Sequence, residues 1–330
     1  MMDSIYPWFN DAWIAIHGNE KLPHALIFRG KEGIGKYNFA IKFAKSYLCQ
    51  KPLSNYFPCE SCSSCKWFPD SHPDFKLVAP IENEDDEPSK RKTVRKKNIL
   101  INQIRELSEY LELSAHQEKG RRVVLIEPAD SLNQSASNAL LKILEEPPEN
   151  TLFILVTSQA QKLIATIRSR CQLLDLRSPS LDEARSFLVD QKIAYEDSLL
   201  SYTGGSPFNA IKELENQTER EIITQLLSQG HNIDITKVNY SILTQGLDWT
   251  LNMIQKWIFD LLLSFHAQQN YYFKNEEKRI HSLAKQINLD ALLLYTNELN
   301  ELKKIASHPV NQELQLQNIF IKYKQIFETL

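Results

Sequence analysis

The chain has 330 residues, 42% hydrophobic and 24% charged, with a formal net charge of −3. That length suits two or three domains with a proper core, and the composition is ordinary for a globular protein. A near-neutral charge excludes global attraction to nucleic acid, though not a local basic patch, and no run approaches the 18 apolar residues of a membrane span.

The start, "MMDSIYPWFNDAW", has neither a basic n-region nor an apolar h-region, so no signal peptide is expected and the chain reads as soluble and cytoplasmic. Glycine is scarce, with 9 in the chain, which favours helices over an all-β design, and no repeat of solenoid period is visible. Five short apolar, β-branched runs follow in order: "ALIF" (25–28), "DFKLVA" (74–79), "RVVLIE" (122–127), "TLFILVTS" (151–158) and "CQLLDLR" (171–177). Each has the continuous pattern of a strand buried on both faces of a parallel sheet. Helical stretches lie between them, including Lys36–Leu48, Ile101–Leu113 and Ser135–Leu144. Strand–helix alternation predicts an α/β domain with a parallel sheet and flanking helices over residues 1–178.

The first strand runs into "FRGKEGIGKYNFA", which meets the phosphate-loop pattern at Gly30, Gly35 and Lys36, with Gly33 between. Such glycines let backbone N–H groups cradle phosphate at a helix N-terminus. The next residue is Tyr37, where a Ser or Thr hydroxyl holds Mg²⁺, and its oxygen sits at the far end of a ring. The strand at 123–127 ends in Glu127, followed by Pro128, which can neither accept a proton nor orient water. A third departure is "GGSPFNA" (204–210), with Pro207 and Phe208 where motors with similar loops carry an Arg that touches the γ-phosphate. Positioning and charge stabilisation are nearly all that phosphoryl transfer asks of a protein, so hydrolysis is not expected. Two readings of the loop stand: it binds ATP or ADP without turnover, or it is empty.

After the loop helix come Cys49, Cys59, Cys62 and Cys65, spaced C-x9-C-x2-C-x2-C. Four thiolates at about 2.3 Å close a tetrahedral site with no open position, which points to structural Zn²⁺ in a module over about 49–65. Such a site orders its surroundings by on the order of 10 kcal/mol. A redox-active C-x2-C pair or unpaired thiols are the alternatives. His72 is surplus to a complete four-cysteine set, and Cys171 reads as a small buried hydrophobe. The insert "IENEDDEPSKRKTVRKKN" (81–98), an acidic block followed by a basic one, reads as a solvated loop, with a DNA-facing tip as the sharper alternative. In "NALLKILEEPP" (138–148) the apolar residues form a helix core face, and Pro147 and Pro148 stop the helix.

A second segment opens with a capping box, "SLDE", pairing Ser180 with Glu183. A small helical unit runs from 179 to 212, interrupted by "TGGSP", and residues 213–330 are helical throughout, with amphipathic stretches at 247–265 and 287–299.

"LPHALIFRGKEGIGK", the four cysteines, "HPDFKLV", "INQIRELSEYL", "RVVLIEPAD", "SASNALLKILEEPPENTLFILVTS" and "ATIRSRCQLL" occur in that order over roughly residues 5–210. Together they resemble the delta-prime subunit family of the bacterial DNA polymerase III clamp loader; the last third is similar only in length and helical character. The resemblance implies an AAA+ domain at 1–178, a helical lid at 179–212 and a collar at 213–330 that closes a five-membered ring. It implies that Cys49, Cys59, Cys62 and Cys65 hold the family's zinc and that the chain has little or no ATPase activity of its own. Ser169, Arg170 and Cys171 match the family's "SRC" motif, whose Arg enters the ATP site of a neighbouring motor as an arginine finger. Without that likeness, Arg170 reads as a strand-end arginine paired with a surface carboxylate. Arg168 is a structural neighbour or a second contact. Thr157 resembles the family's sensor residue. Implied partners are the tau/gamma motor subunits and the delta subunit in a hetero-oligomer, with sliding clamp and primer–template DNA reached through the assembly and no membrane. Two rivals are a self-sufficient clamp-loader ATPase motor and a zinc-containing nucleic-acid-binding module.

Overall fold

The computed structural model describes residues 5–18, 22–80, 98–113, 116, 120–235, 243, 245–305 and 311–327. The chain divides into two compact units, Met1–Glu183 and Ala184–Leu330.

The first unit is built on five parallel strands, β1 (Ala25–Arg29), β2 (Phe75–Val78), β3 (Arg122–Ile126), β4 (Thr151–Thr157) and β5 (Gln172–Asp175), in the order β2-β3-β4-β1-β5. The register sets Ala25 beside Phe153 and Arg29 beside Thr157, so β1 and β4 end together at the carboxyl edge, where the glycine loop begins. Helices α1 (Asn10–His17), α2 (Lys36–Leu48), α3 (Ser63–Trp67), α4 (Ile101–Glu112), α5 (Gln134–Glu145) and α6 (Ala165–Arg170) complete the unit. Side chains alternate across each strand, so the two faces bury different partners. Ala25, Ile27, Val124, Ile126, Phe153 and Leu155 share a core with Ile104 and Leu107 of α4, Leu140 of α5 and Ile167 of α6. On the opposite face Phe28 meets Phe39 and Phe43 of α2, with ring centroids 5.3 and 5.7 Å away. Trp13 of α1 closes over the same two phenylalanines.

All five expected strands form, and β3 and β4 are buried along their whole length. The runs at 74–79 and 171–177 depart from the expectation of burial on both faces: β2 and β5 are the edge strands, with Leu77 39% and Leu173 42% exposed. Among the described residues, β5 pairs with β1 alone. A four-residue apolar run looks the same at the centre and at the rim of a sheet, because its rank in the sheet is set by pairing with distant strands. The insert at 81–98 lies, apart from Asn98, outside the described residues.

Ser180 and Glu183 form the expected capping box: the Glu183 N–H donates to Ser180 Oγ at 3.1 Å and the Ser180 N–H to the Glu183 carboxylate at 2.8 Å. It opens α7 (Leu181–Asp190), followed by α8 (Asp197–Tyr202), α9 (Pro207–Leu214), α10 (Gln217–Leu227), α11 (Leu247–Ala267), α12 (Glu277–Ala284), α13 (Leu289–Ile305) and α14 (Gln312–Gln325). One apolar cluster links Ala184 and Leu188 of α7 to Trp257 of α11 and Phe320 of α14. Several buried polar groups of this unit are matched, while Glu213 Oε2 and Asn270 Oδ1 are not. Trp257 Nε1 donates to the Tyr323 hydroxyl at 2.9 Å, which donates to the Leu227 carbonyl at 2.7 Å. Fully buried Asp260 accepts the backbone N–H groups of Tyr271, Tyr272 and Phe273 at 2.7–3.1 Å.

The Asp260 carboxylate replaces a missing turn of backbone bonding, and removing it strands three N–H donors. Asp260→Ala is expected to destabilise the second unit by about 2–4 kcal/mol. A urea melt followed by circular dichroism checks this, and an unchanged midpoint would show that the 271–273 loop satisfies itself.

Candidate functional site

The glycine loop joins β1 to α2. Gly33 and Gly35 have φ of 74° and 90°, in the left-handed region that favours glycine. A side chain at Gly30 would put its Cβ 2.6 Å from the Leu176 carbonyl oxygen. Gly35 caps α2, so the loop has the form that presents N–H groups at a helix N-terminus.

Lys36, which would reach for outer phosphates, is turned inward. It is 6% exposed and its Nζ donates to the Lys31 carbonyl at 2.7 Å and to Ser158 Oγ at 2.8 Å. Burial lowers its pKa, partly offset by the charges of Glu32, Glu127 and Asp130. Burial likewise raises the Glu127 carboxyl, with Lys36 opposing and Asp130 adding to the shift. The Tyr37 phenol is pushed up by burial, then by the charges of Glu127 and Asp70. Buried Thr157 donates its hydroxyl to Asp130, which also accepts the Ser158 N–H at 3.3 Å. The residue matched to a sensor is thus bonded to the chain's own carboxylate. The loop is held from outside as well. Trp8 Nε1 donates to the Ile34 carbonyl at 2.9 Å, Tyr6 stacks on Trp8 at 4.9 Å, and the Tyr6 hydroxyl accepts from Asn38 at 2.6 Å.

This set meets the demands of Mg²⁺-nucleotide chemistry only in part. The cradle is present, but the helix offers a phenol in place of a short hydroxyl, and Pro128 follows Glu127. Pro207 and Phe208, in the second unit, begin α9, with Phe208 5.2 Å from Phe187 ring to ring. Sequence reasoning missed Ser158, Asp130, Tyr6 and Trp8. The signal for Asp130 is an acid four residues beyond the end of β3; Tyr6 and Trp8 belong to an aromatic run, "YPWF", ahead of the first helix.

The other end of α2 carries the cysteines. Cys49 caps the helix, and the four sulfurs of Cys49, Cys59, Cys62 and Cys65 lie within 4.8 Å of one another. Cys49–Cys62 and Cys59–Cys65 are each 4.0 Å apart, against about 3.8 Å for sulfurs around a tetrahedral ion at 2.3 Å. Backbone N–H groups of Cys59, Cys62 and Cys65 donate to the sulfurs of Cys49, Cys59 and Cys62 at 3.3–3.4 Å, which favours thiolates. Hydrogen bonds, the Ser61 hydroxyl foremost, pull the Cys59 thiol down to about 5, while burial pushes Cys49 and Cys65 up. The cluster can hold a metal ion, and its donor set suits a soft one. His72 stands outside the set. Its Nδ1 accepts the Asp74 N–H at 3.1 Å, so Nε2 carries the proton and donates to Ser64 Oγ at 2.8 Å. The Ser64 hydroxyl donates to the Leu48 carbonyl at 2.8 Å, bracing α3 against α2. Cys171 is half-buried, and burial pushes its thiol up to about 12.

Arg170 ends α6. Its Nη2 donates to Glu145 Oε1 at 2.6 Å and its Nη1 to the Thr166 carbonyl at 3.1 Å. Its side chain is 35% exposed. Ser169 Oγ donates to the same Thr166 carbonyl at 2.9 Å, and Arg168 is exposed. The structure therefore gathers the loop residues into one group and the cysteines into another, and turns Arg170 back onto α5.

Residues 9–180 match the family described as DNA polymerase III, delta subunit. The chain is 35% identical over 231 residues to the DNA polymerase III subunit delta′ of Pseudomonas aeruginosa, covering 68% of this chain and 66% of that protein. Its likeness to the Haemophilus influenzae subunit delta′ is 31% over 221 residues, covering 65% of this chain and 63% of that one. The matched stretches thus span just under two thirds of these relatives' length. The subunit delta′ of Buchnera aphidicola subsp. Schizaphis graminum is 25% identical, with 97% of each chain covered. Among solved structures, a DNA polymerase III gamma subunit-related protein of Thermotoga maritima is 17% identical with a TM-score of 0.43, covering 97% of this chain and all of that one. No helix among the described residues is long and apolar enough to cross a membrane.

The thiol geometry predicts one metal ion per chain. Elemental analysis of the purified protein is expected to find it, and Cys62→Ser to lose it along with several degrees of melting temperature. Equal metal content in wild type and variant would remove the site.

Proposed function

The chain belongs to the DNA polymerase III delta subunit family, alongside the delta-prime subunits of bacterial clamp loaders, and from that premise we propose that it is a non-hydrolysing ring member that donates Arg170 to a neighbouring ATPase subunit. The observation that carries this reading is the contrast between two cations. Lys36, the residue that would serve this chain's own nucleotide, is buried and bonded to Lys31 and Ser158. Arg170 stands at the surface with two of its donors engaged. A guanidinium has five N–H donors in a planar fork, so three are left for an anion from outside.

In that role Arg170 meets the charge that develops on a phosphoryl group in the adjoining subunit. A finger supplied in trans is worth about 10³–10⁵ in rate. The chain's own loop contributes no turnover: Tyr37 removes one Mg²⁺ ligand, and Pro128 leaves no carboxylate beside Glu127 to orient water. The cysteines hold structural Zn²⁺, which when bound closes the 49–65 module onto the end of α2. The ring partners are tau/gamma motors and a delta subunit, with the clamp and primer–template DNA engaged by the assembly in the cytoplasm. Its likeness to the tau subunit of Escherichia coli, 29% over 207 residues, suits a ring of similarly built members. Residues 179–212 serve as lid and 213–330 as collar.

The test is the ATPase rate of the reconstituted ring with clamp and primed DNA. The chain alone is expected to be silent. Arg170→Ala is expected to slow the adjoining site by about 10³-fold, lowering the ring's rate by that site's share with assembly intact on gel filtration. A mutant ring that hydrolyses normally would make Arg170 structural.

A further inference from the structure

We infer that Glu145 is a positioning residue for Arg170, orienting its guanidinium before a neighbour's phosphate arrives; this rests on the finger reading above. Glu145 is the last residue of α5; Glu146 caps the helix and Pro147 and Pro148 come next, so the helix ends at the residue that carries the carboxylate. Helix C-termini favour cations, because the free carbonyls there carry partial negative charge. A glutamate at this place works against the helix, so α5's own stability does not account for it. Its carboxylate instead accepts from Arg170 Nη2 at 2.6 Å, across the contact between α5 and α6.

The second contact, Arg170 Nη1 to the Thr166 carbonyl at 3.1 Å, comes from the arginine's own helix. Two acceptors on different helices define the plane of the guanidinium, which one acceptor cannot do. A long side chain held this way has already lost much of its rotamer freedom, so less is lost when it meets a phosphate. The pair is part-exposed, with Arg170 35% and Glu145 44% accessible, so the contact is weak enough to shift as the finger engages.

The experiment has two arms, both on the full chain. In the free chain, ¹⁵N relaxation of the Arg170 Nε–H group, identified by its loss in Arg170→Lys, reads how tightly the fork is held. Glu145→Ala and Glu145→Gln are expected to lower its order parameter, Ala more than Gln, with the circular dichroism melt unchanged. In the reconstituted ring, Glu145→Ala is expected to lower kcat by about two- to fivefold, the scale of an exposed ion pair, without raising KM for ATP. The loss should vanish in the Arg170→Ala background, because a residue that works through Arg170 has nothing to add once it is gone. An order parameter unmoved by either substitution overturns the inference. So does a rate loss that persists in full beside Arg170→Ala, since Glu145 would then be acting on the fold or the interface. If Arg170→Ala itself leaves the rate unchanged, the finger reading falls, while the relaxation arm still reports whether Glu145 holds the side chain.

Discussion

The packing of α2 against β1 is the constraint on which both candidate sites depend. Phe39 and Phe43 lie against Phe28, Trp13 closes over them, and all four are buried. The N-terminus of this helix is the glycine loop and its C-cap is Cys49. Thirteen residues at 1.5 Å each put the two sites about 20 Å apart on one rigid rod. An error in seating α2 would therefore displace the Lys36 environment and the first sulfur of the cluster together.

Burial divides the basic residues by role. Lys36 has exchanged water for two oxygen acceptors and the field of three carboxylates, so its charge is spent within the chain. The Trp8 and Tyr6 stack then holds the loop's outer side. Arg170 sits on a six-residue helix beside an exposed edge strand, part-exposed, with two of its five donors engaged. The degenerate loop and the part-exposed arginine are the two features on which the proposed role rests.

The second unit is held by a different economy. Its helices share one apolar cluster, and three polar groups drawn into it are matched between separate elements: Trp257 to Tyr323, Tyr323 to Leu227, and Asp260 to the 271–273 backbone. Such matching makes a buried polar group specify one arrangement instead of merely weakening the core.

What the sequence determined by itself is whatever is written in neighbouring residues. The five strands, helices α2, α4 and α5, the cysteine spacing, the Ser180–Glu183 cap and the failed loop letters at Tyr37 and Pro128 are local, because hydrophobic period, capping and motif chemistry act within a few residues. Tertiary structure alone decided that β5 is an edge, that Lys36 bonds Ser158 across 122 positions, that Thr157 gives its hydroxyl to Asp130, and that Glu145 holds Arg170. These are contacts between residues that meet only after the sheet has set its strand order. A carboxylate at a helix end carries no mark in the sequence of the arginine it will face.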